Sequence, residues 1–121
     1  DLIISTGCIG YVGHKTIKEL LNSLTPKQPI MAHFVLRTIS FEKIEQEISK
    51  NGYKTYKSKM PFRQRSFASK EEKTSTLERL IEMGLNPEKY EAEGSYYAHL
   101  YISLPSGIEF TSLPEGIKSY F

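Results

Sequence analysis

The residue types able to do chemistry fall into four groups along the chain. Gly7, Gly10 and Gly13 recur at spacings of three in Gly7-Cys8-Ile9-Gly10-Tyr11-Val12-Gly13, directly behind the apolar stretch Leu2-Ile3-Ile4-Ser5-Thr6. Glycines behind a strand let backbone approach a ligand closely and adopt positive φ. The spacing is not that of a dinucleotide fingerprint, and no Gly-Lys-Ser/Thr follows as in a phosphate-binding loop. From spacing alone, a loop that needs glycines only to turn is the better reading. Cys8 lies in the same loop, with His14 nearby. Thiolate and imidazole would make a nucleophile pair, but no third orienting group is suggested. The ordinary expectation for a lone cysteine is a buried, inert one. His33 interrupts an apolar run and reads as a hydrogen-bonded core histidine, while His99 shares a face with Tyr97 and Tyr101. Neither has a third ligand at metal-site spacing, so no metal is expected.

The fourth group is basic. Residues 53–70 carry Lys54, Lys57, Lys59, Arg63, Arg65 and Lys70 and no acid, interleaved with Tyr53, Tyr56, Phe62 and Phe67. Cations among aromatics suit single-stranded nucleic acid. With the overall charge near neutral, the better reading is a solvated sheet edge that lysines guard against pairing. Residues 78–93 hold five acids, Glu78, Glu82, Glu88, Glu91 and Glu93, against Arg79 and Lys89. The net charge of +2 is too small to imply a polyanionic partner.

The elements that must position these groups alternate. Leu2–Thr6 reads as a short buried strand. His14–Leu24 carries Ile17, Leu20, Leu21 and Leu24 at helical spacing, and Thr25-Pro26 ends it. Ile30–Leu36 is near-continuously apolar, as in a strand covered on both faces. Ser40 is a good N-cap for a helix over Phe41–Lys50, which Asn51-Gly52 stops. Tyr53–Ser58 is a further strand, and Pro61–Ala68 is irregular. Ser69-Lys70-Glu71-Glu72 is a capping box. It opens a helix with Leu77, Leu80 and Ile81 on its apolar face, ending at Gly84. Tyr96–Leu104 alternates as a last strand, and the tail 105–121 shows no clear element. Strands alternating with helices imply an α/β sheet with right-handed early crossovers.

The 121 residues, 39% hydrophobic and 25% charged, amount to one domain able to bury a core. One cysteine excludes an internal disulfide framework and a paired-cysteine zinc site. No apolar run is long enough for a membrane span, and no signal peptide is visible. A cytoplasmic setting is the default expectation.

Asp1-Leu2-Ile3-Ile4-Ser5-Thr6-Gly7 resembles the fourth-strand motif of class I S-adenosylmethionine-dependent methyltransferases, and the order of elements up to Leu104 is similar to that family's. The resemblance implies a partial Rossmann-like sheet of about four strands, the first two parallel and the last antiparallel, with three helices. It also implies that the final strand is inserted between Ile30–Leu36 and Tyr53–Ser58. Asp1, Ser5, Thr6 and Gly7 would lie at the S-adenosylmethionine side. Cys8 and Tyr11, with Arg63 and Arg65 from the following insertion, would lie at the methyl acceptor, a small molecule or one the sequence does not identify. Ser5-Thr6-Gly7-Cys8 departs from the Asn/Asp-Pro-Pro-Tyr/Phe of amino-methylating members, so amide or adenine methylation is not implied. The family's glycine-rich cofactor loop has no counterpart in this sequence. Three more strand–helix units of roughly 30 residues each would be needed to supply it. The abrupt apolar start at Asp1 agrees with a chain that is the carboxyl half of such a domain, inactive alone. Leu2–Thr6 would then be an exposed sheet edge, from which homodimerisation is expected. The competing expectation is a stand-alone α+β binding module using the basic 53–70 segment, for which a fully antiparallel sheet would speak.

Overall fold

A computed structural model describes residues 1–24 and 26–121. Its strands are β1 (Leu2–Thr6), β2 (Ile30–Leu36), β3 (Tyr53–Lys57), β4 (Phe62–Ser66) and β5 (Ser95–Pro105). Its helices are α1 (Ile9–Ser23), α2 (Glu42–Lys50), α3 (Lys70–Glu82) and the short α4 (Glu115–Lys118). The strands form one mixed sheet in the order β1-β2-β5-β3, with β4 also on β5. β1 and β2 are parallel, Leu2 opposite Ile30 through Thr6 opposite Phe34. β5 runs antiparallel to β2, β3 and β4. The chain is therefore α/β, with its first two strands parallel and its long last strand inserted between β2 and β3.

The core explains which face the helices take. Ile3, Met31, Val35, Tyr53 and Tyr101 pack on one side of the sheet against Ile17 and Leu21 of α1 and Ile44 and Ile48 of α2. Period two in the strands meets the i, i+4 stripes of two helices on the same face. Met31 and Ile48 are wholly enclosed, and burial of each contributes about 1.5–3 kcal/mol. The opposite face is thinner. Leu2 and Ile4 on the outer strand β1 are more than half exposed. Farther across, the tail covers the sheet: Phe110 stacks on Tyr56 with centroids 4.5 Å apart, and Tyr120 packs on Phe62 at 5.3 Å.

Several local expectations change. The three-glycine stretch is not simply a loop. A first helical turn begins at Ile9, and Gly13 breaks it with φ 69° and ψ 170° before the main helix runs on. Ile9, only 3% exposed, is the anchor that pulls this turn onto the core. The stop read at Thr25-Pro26 includes Thr25, which lies outside the described residues; α1 ends at Ser23 with Leu24 as its cap. α2 starts one residue later than expected, with Phe41 rather than Ser40 at the cap and no side-chain capping bond. Phe41 is held by packing instead, 4.3 Å from the Tyr101 ring and 6.0 Å from His33.

β4 lies in the segment expected to be irregular. Its Phe62-Arg63-Gln64-Arg65-Ser66 is too polar to read as a strand, yet backbone pairing with β5 holds it at an edge, where charged side chains face water. On α3, Leu80 is buried as expected, but Ile81 is exposed and Thr76 takes the buried place beside Leu80. The tail is not featureless: Phe110–Ser112 forms a 3-10 turn ahead of α4. Among the described residues, no helix is long and apolar enough to cross a membrane.

Candidate functional site

The main cavity, about 630 Å³, opens where β1 and β2 end. Parallel strands of open α/β sheets leave ligand crevices at their carboxyl ends. Thr6 and Gly7 form one wall and Ile9, Gly10 and Tyr11 the next. Phe34, Val35, Leu36, Thr38 and Ile39 contribute from β2 and its exit, while Gln64, Arg65, Glu72 and Tyr96 close the far side. A Cβ at Gly10 would meet Ile39 Cδ1 at 2.9 Å, so any larger residue there would have to displace the end of that side chain. Tyr11 is 93% exposed and stands at the mouth, on the single turn between the left-handed Gly7 and Gly13.

The polar side of the cavity is a network built on Glu72. Arg65 Nη2 donates to Glu72 Oε1 at 2.6 Å and Nη1 to Oε2 at 3.1 Å. The Tyr96 hydroxyl donates to Oε1 at 3.1 Å, and the Ala68 amide to Oε2 at 2.5 Å. Ser69 Oγ accepts from the Glu72 amide at 3.0 Å. The capping box is thus present, with the glutamate reaching the amide ahead of the cap. Hydrogen bonds from Arg65 foremost, then from Ala68, hold the Glu72 carboxyl down at about 2. The Arg65 guanidinium also lies over the Tyr96 ring, 4.9 Å from its centroid, an arrangement favourable for a cation.

Of the residues expected at a site, four line this cavity: Thr6, Gly7, Tyr11 and Arg65. The others lie elsewhere. Asp1 is at the opposite end of β1, where its carbonyl accepts from the Ile30 amide at 3.1 Å. Ser5 alternates to the helix-covered face and shares a 2.6 Å hydrogen bond with His33 Nδ1. Arg63 donates from Nε to Ser95 Oγ at 3.0 Å, away from the lining. Cys8 is exposed, not buried, because the turn that buries Ile9 turns its neighbour outward. Glu72, Tyr96 and Gln64 were missed. The capping-box spacing did mark Glu72, but only as a helix start.

The histidines fit a structural role. His33 is 1% exposed, and burial pushes it down to about 4, so it is neutral at pH 7. Its Nε2 is buried without a partner. His99 donates from Nδ1 to the Ser58 carbonyl at 3.0 Å, and burial together with the Lys57 charge takes it to about 4. Among the described residues, no three of His, Cys, Asp and Glu gather as metal ligands. The basic segment is divided: Lys57 reaches the Tyr101 ring on the helix-covered face, Lys54 reaches Tyr56 on the other, and Arg65 is paired. No family model, curated protein or solved structure matches the chain.

Proposed function

We propose that this chain supplies the methyl-acceptor side of a class I S-adenosylmethionine-dependent methyltransferase site. The observation that carries the reading is the sheet itself. A parallel pair, β1 and β2, is followed by an antiparallel strand inserted before β3, with both crossover helices on one face and a cavity where the parallel pair ends. The resemblance of the Leu2–Thr6 segment and its loop to the family's fourth strand calls for that order.

The lining fits one end of the cofactor only. Thr6, Gly7 and the turn at Gly10 would border its methionine end. No acid is free to take a ribose: Glu72 is the single carboxylate in the lining among the described residues, and its oxygens are filled by Arg65, Tyr96 and Ala68. The rest of the cofactor contacts would have to come from residues beyond these. When bound, S-adenosylmethionine supplies an already activated methyl group. The protein's part is therefore alignment and exclusion of water rather than acid–base work. Phe34, Val35, Leu36 and Ile39 provide an apolar floor for an acceptor, and Tyr11 stands where it can cover one.

The test is a titration with S-adenosylhomocysteine followed by backbone amide NMR. Weak binding, near millimolar, with shifts confined to the Thr6–Tyr11 segment is expected. Shifts elsewhere, or none, would remove the reading. Micromolar affinity by calorimetry would show that the principal cofactor contacts already lie in this chain.

A further inference from the structure

The carboxylate of Glu72 receives Arg65 Nη2 and the Tyr96 hydroxyl on Oε1, and Arg65 Nη1 and the Ala68 amide on Oε2. An ionised carboxylate accepts about four such donors, so Glu72 has nothing left to offer a ligand. Its role is to hold Arg65. The guanidinium is not used up in return. Nη1 gives one proton to Glu72 and one to the Ser66 carbonyl at 3.1 Å, and Nη2 gives one to Glu72. Two donors remain, Nε–H and the second proton of Nη2. In a planar guanidinium these lie side by side on one edge, a fork matched to a carboxylate. Tyr96 fixes the plane of the group from one face.

Arg65 is 61% exposed and lines the cavity, where it is the single cation among the described residues. Across the cavity from it, Ile9, Phe34, Val35, Leu36 and Ile39 supply an apolar part of a mixed lining. We propose that the free edge of Arg65 binds the carboxylate of a small acceptor whose body is apolar or aromatic. A single guanidinium edge with no lysine beside it suits a monoanion rather than a phosphate. This inference rests on the acceptor-side reading of the cavity and names the class of acceptor.

The probes are phenylacetate, its neutral amide phenylacetamide, and phenyl phosphate, each titrated into the isotope-labelled 121-residue protein and followed by amide NMR. Phenylacetate is expected to shift the amides of Thr6, Gly7, Gly10 and Arg65. It should bind at least about tenfold more tightly than phenylacetamide, equivalent to about 1.4 kcal/mol. Arg65→Gln should erase that preference, and Arg65→Lys, which keeps the charge without the fork, should retain only part of it. Glu72→Gln should also weaken it while leaving an oxygen for the Ala68 amide, a second variant should Arg65→Gln unfold. Equal affinity for acid and amide, tighter binding of phenyl phosphate, shifts outside the cavity, or no shift at millimolar probe would each overturn the assignment. The S-adenosylhomocysteine titration separates the two readings. Acid preference without cofactor shifts leaves the carboxylate site and removes methyl transfer; the reverse removes only the carboxylate.

Discussion

Two arginine–glutamate pairs in this molecule share a closest approach of 2.6 Å and differ in almost everything else. Arg37–Glu91 is enclosed, its side chains 8% and 1% exposed. Arg37 Nη1 donates to Glu91 Oε2, Nη2 donates to the Asn86 carbonyl at 3.2 Å, and Glu91 Oε1 is buried with no partner. Burial pushes the Glu91 carboxyl up in spite of its arginine. Arg65–Glu72 lies at the surface, yet Glu72 is fully satisfied and held far below the usual carboxylate range. Distance alone therefore says little about what an ion pair does. Desolvation decides the first pair and hydrogen-bond completeness the second. The first ties the end of β2 to the 3-10 turn Glu91–Glu93, and the second shapes a cavity wall.

The largest effect is expected from breaking the enclosed pair on one side. Arg37→Met leaves a buried, uncompensated carboxylate and should cost about 3–5 kcal/mol in denaturant unfolding, whereas Arg37→Met with Glu91→Leu should recover most of it. A single variant within about 1 kcal/mol of the parent would mean that water reaches Glu91.

Acid titration comes next, because the groups move in different windows. His33 titrates near 6.5 unfolded and about 4 folded, so the unfolded chain binds the extra proton first. His33 alone should remove about 3 kcal/mol of stability as pH drops from 6.5 to 4; His99, also lowered to about 4, acts in the same window, so His33→Gln should make that limb shallower without abolishing it. Glu72 acts lower. Its folded value is depressed, so the stability it contributes is complete above the unfolded carboxylate range and is lost as pH falls toward about 2; Glu72→Gln should remove that part of the limb. Glu91 runs the other way: its raised folded value makes proton uptake favour the native state as pH falls.

The smallest change is Ser69→Ala, which removes the hydroxyl that accepts from the Glu72 amide. It should cost about 1 kcal/mol by thermal unfolding, while the buried pair is untouched. A larger loss would show that the cavity wall depends on that cap more than on Arg65.

Much of this was legible in the residues. Ile44 and Ile48 announced a helix against the sheet and Ser69 with Glu72 a helix start, and both hold; Ile30–Leu36 is a strand as read, but only its Met31, His33 and Val35 face is buried, the other being half-buried. What stayed hidden depends on partners far away in sequence. β4 is a strand because β5 offers it hydrogen bonds, not because Arg63-Gln64-Arg65 prefers extension. Phe110 and Tyr120 become ordered by stacking on Tyr56 and Phe62. The site was half visible: the Thr6–Gly7 junction follows from strand polarity and the glycine. The Arg65–Glu72–Tyr96 wall, by contrast, joins three elements whose meeting no local pattern encodes. Ser5 was misplaced by a plain rule, since its neighbour Thr6 faces the cavity and successive strand residues face opposite ways.

The edge beside β5 is built in two pieces. Ser58, 2% exposed, sits at the join, where its hydroxyl accepts from the Leu100 amide at 3.1 Å and donates to the Met60 carbonyl at 2.9 Å. A side chain there does the work of a missing stretch of ladder. β3, on the near side of the join, belongs to the helix-covered core through Tyr53, while β4, on the far side, carries Gln64 and Arg65 of the cavity. A lineage altering the second piece could lengthen it, recharge it or exchange it without renegotiating the packing beneath α1 and α2. The serine is in that sense a seam: the packing beneath α1 and α2 lies on one side of it, and the wall of the cavity on the other.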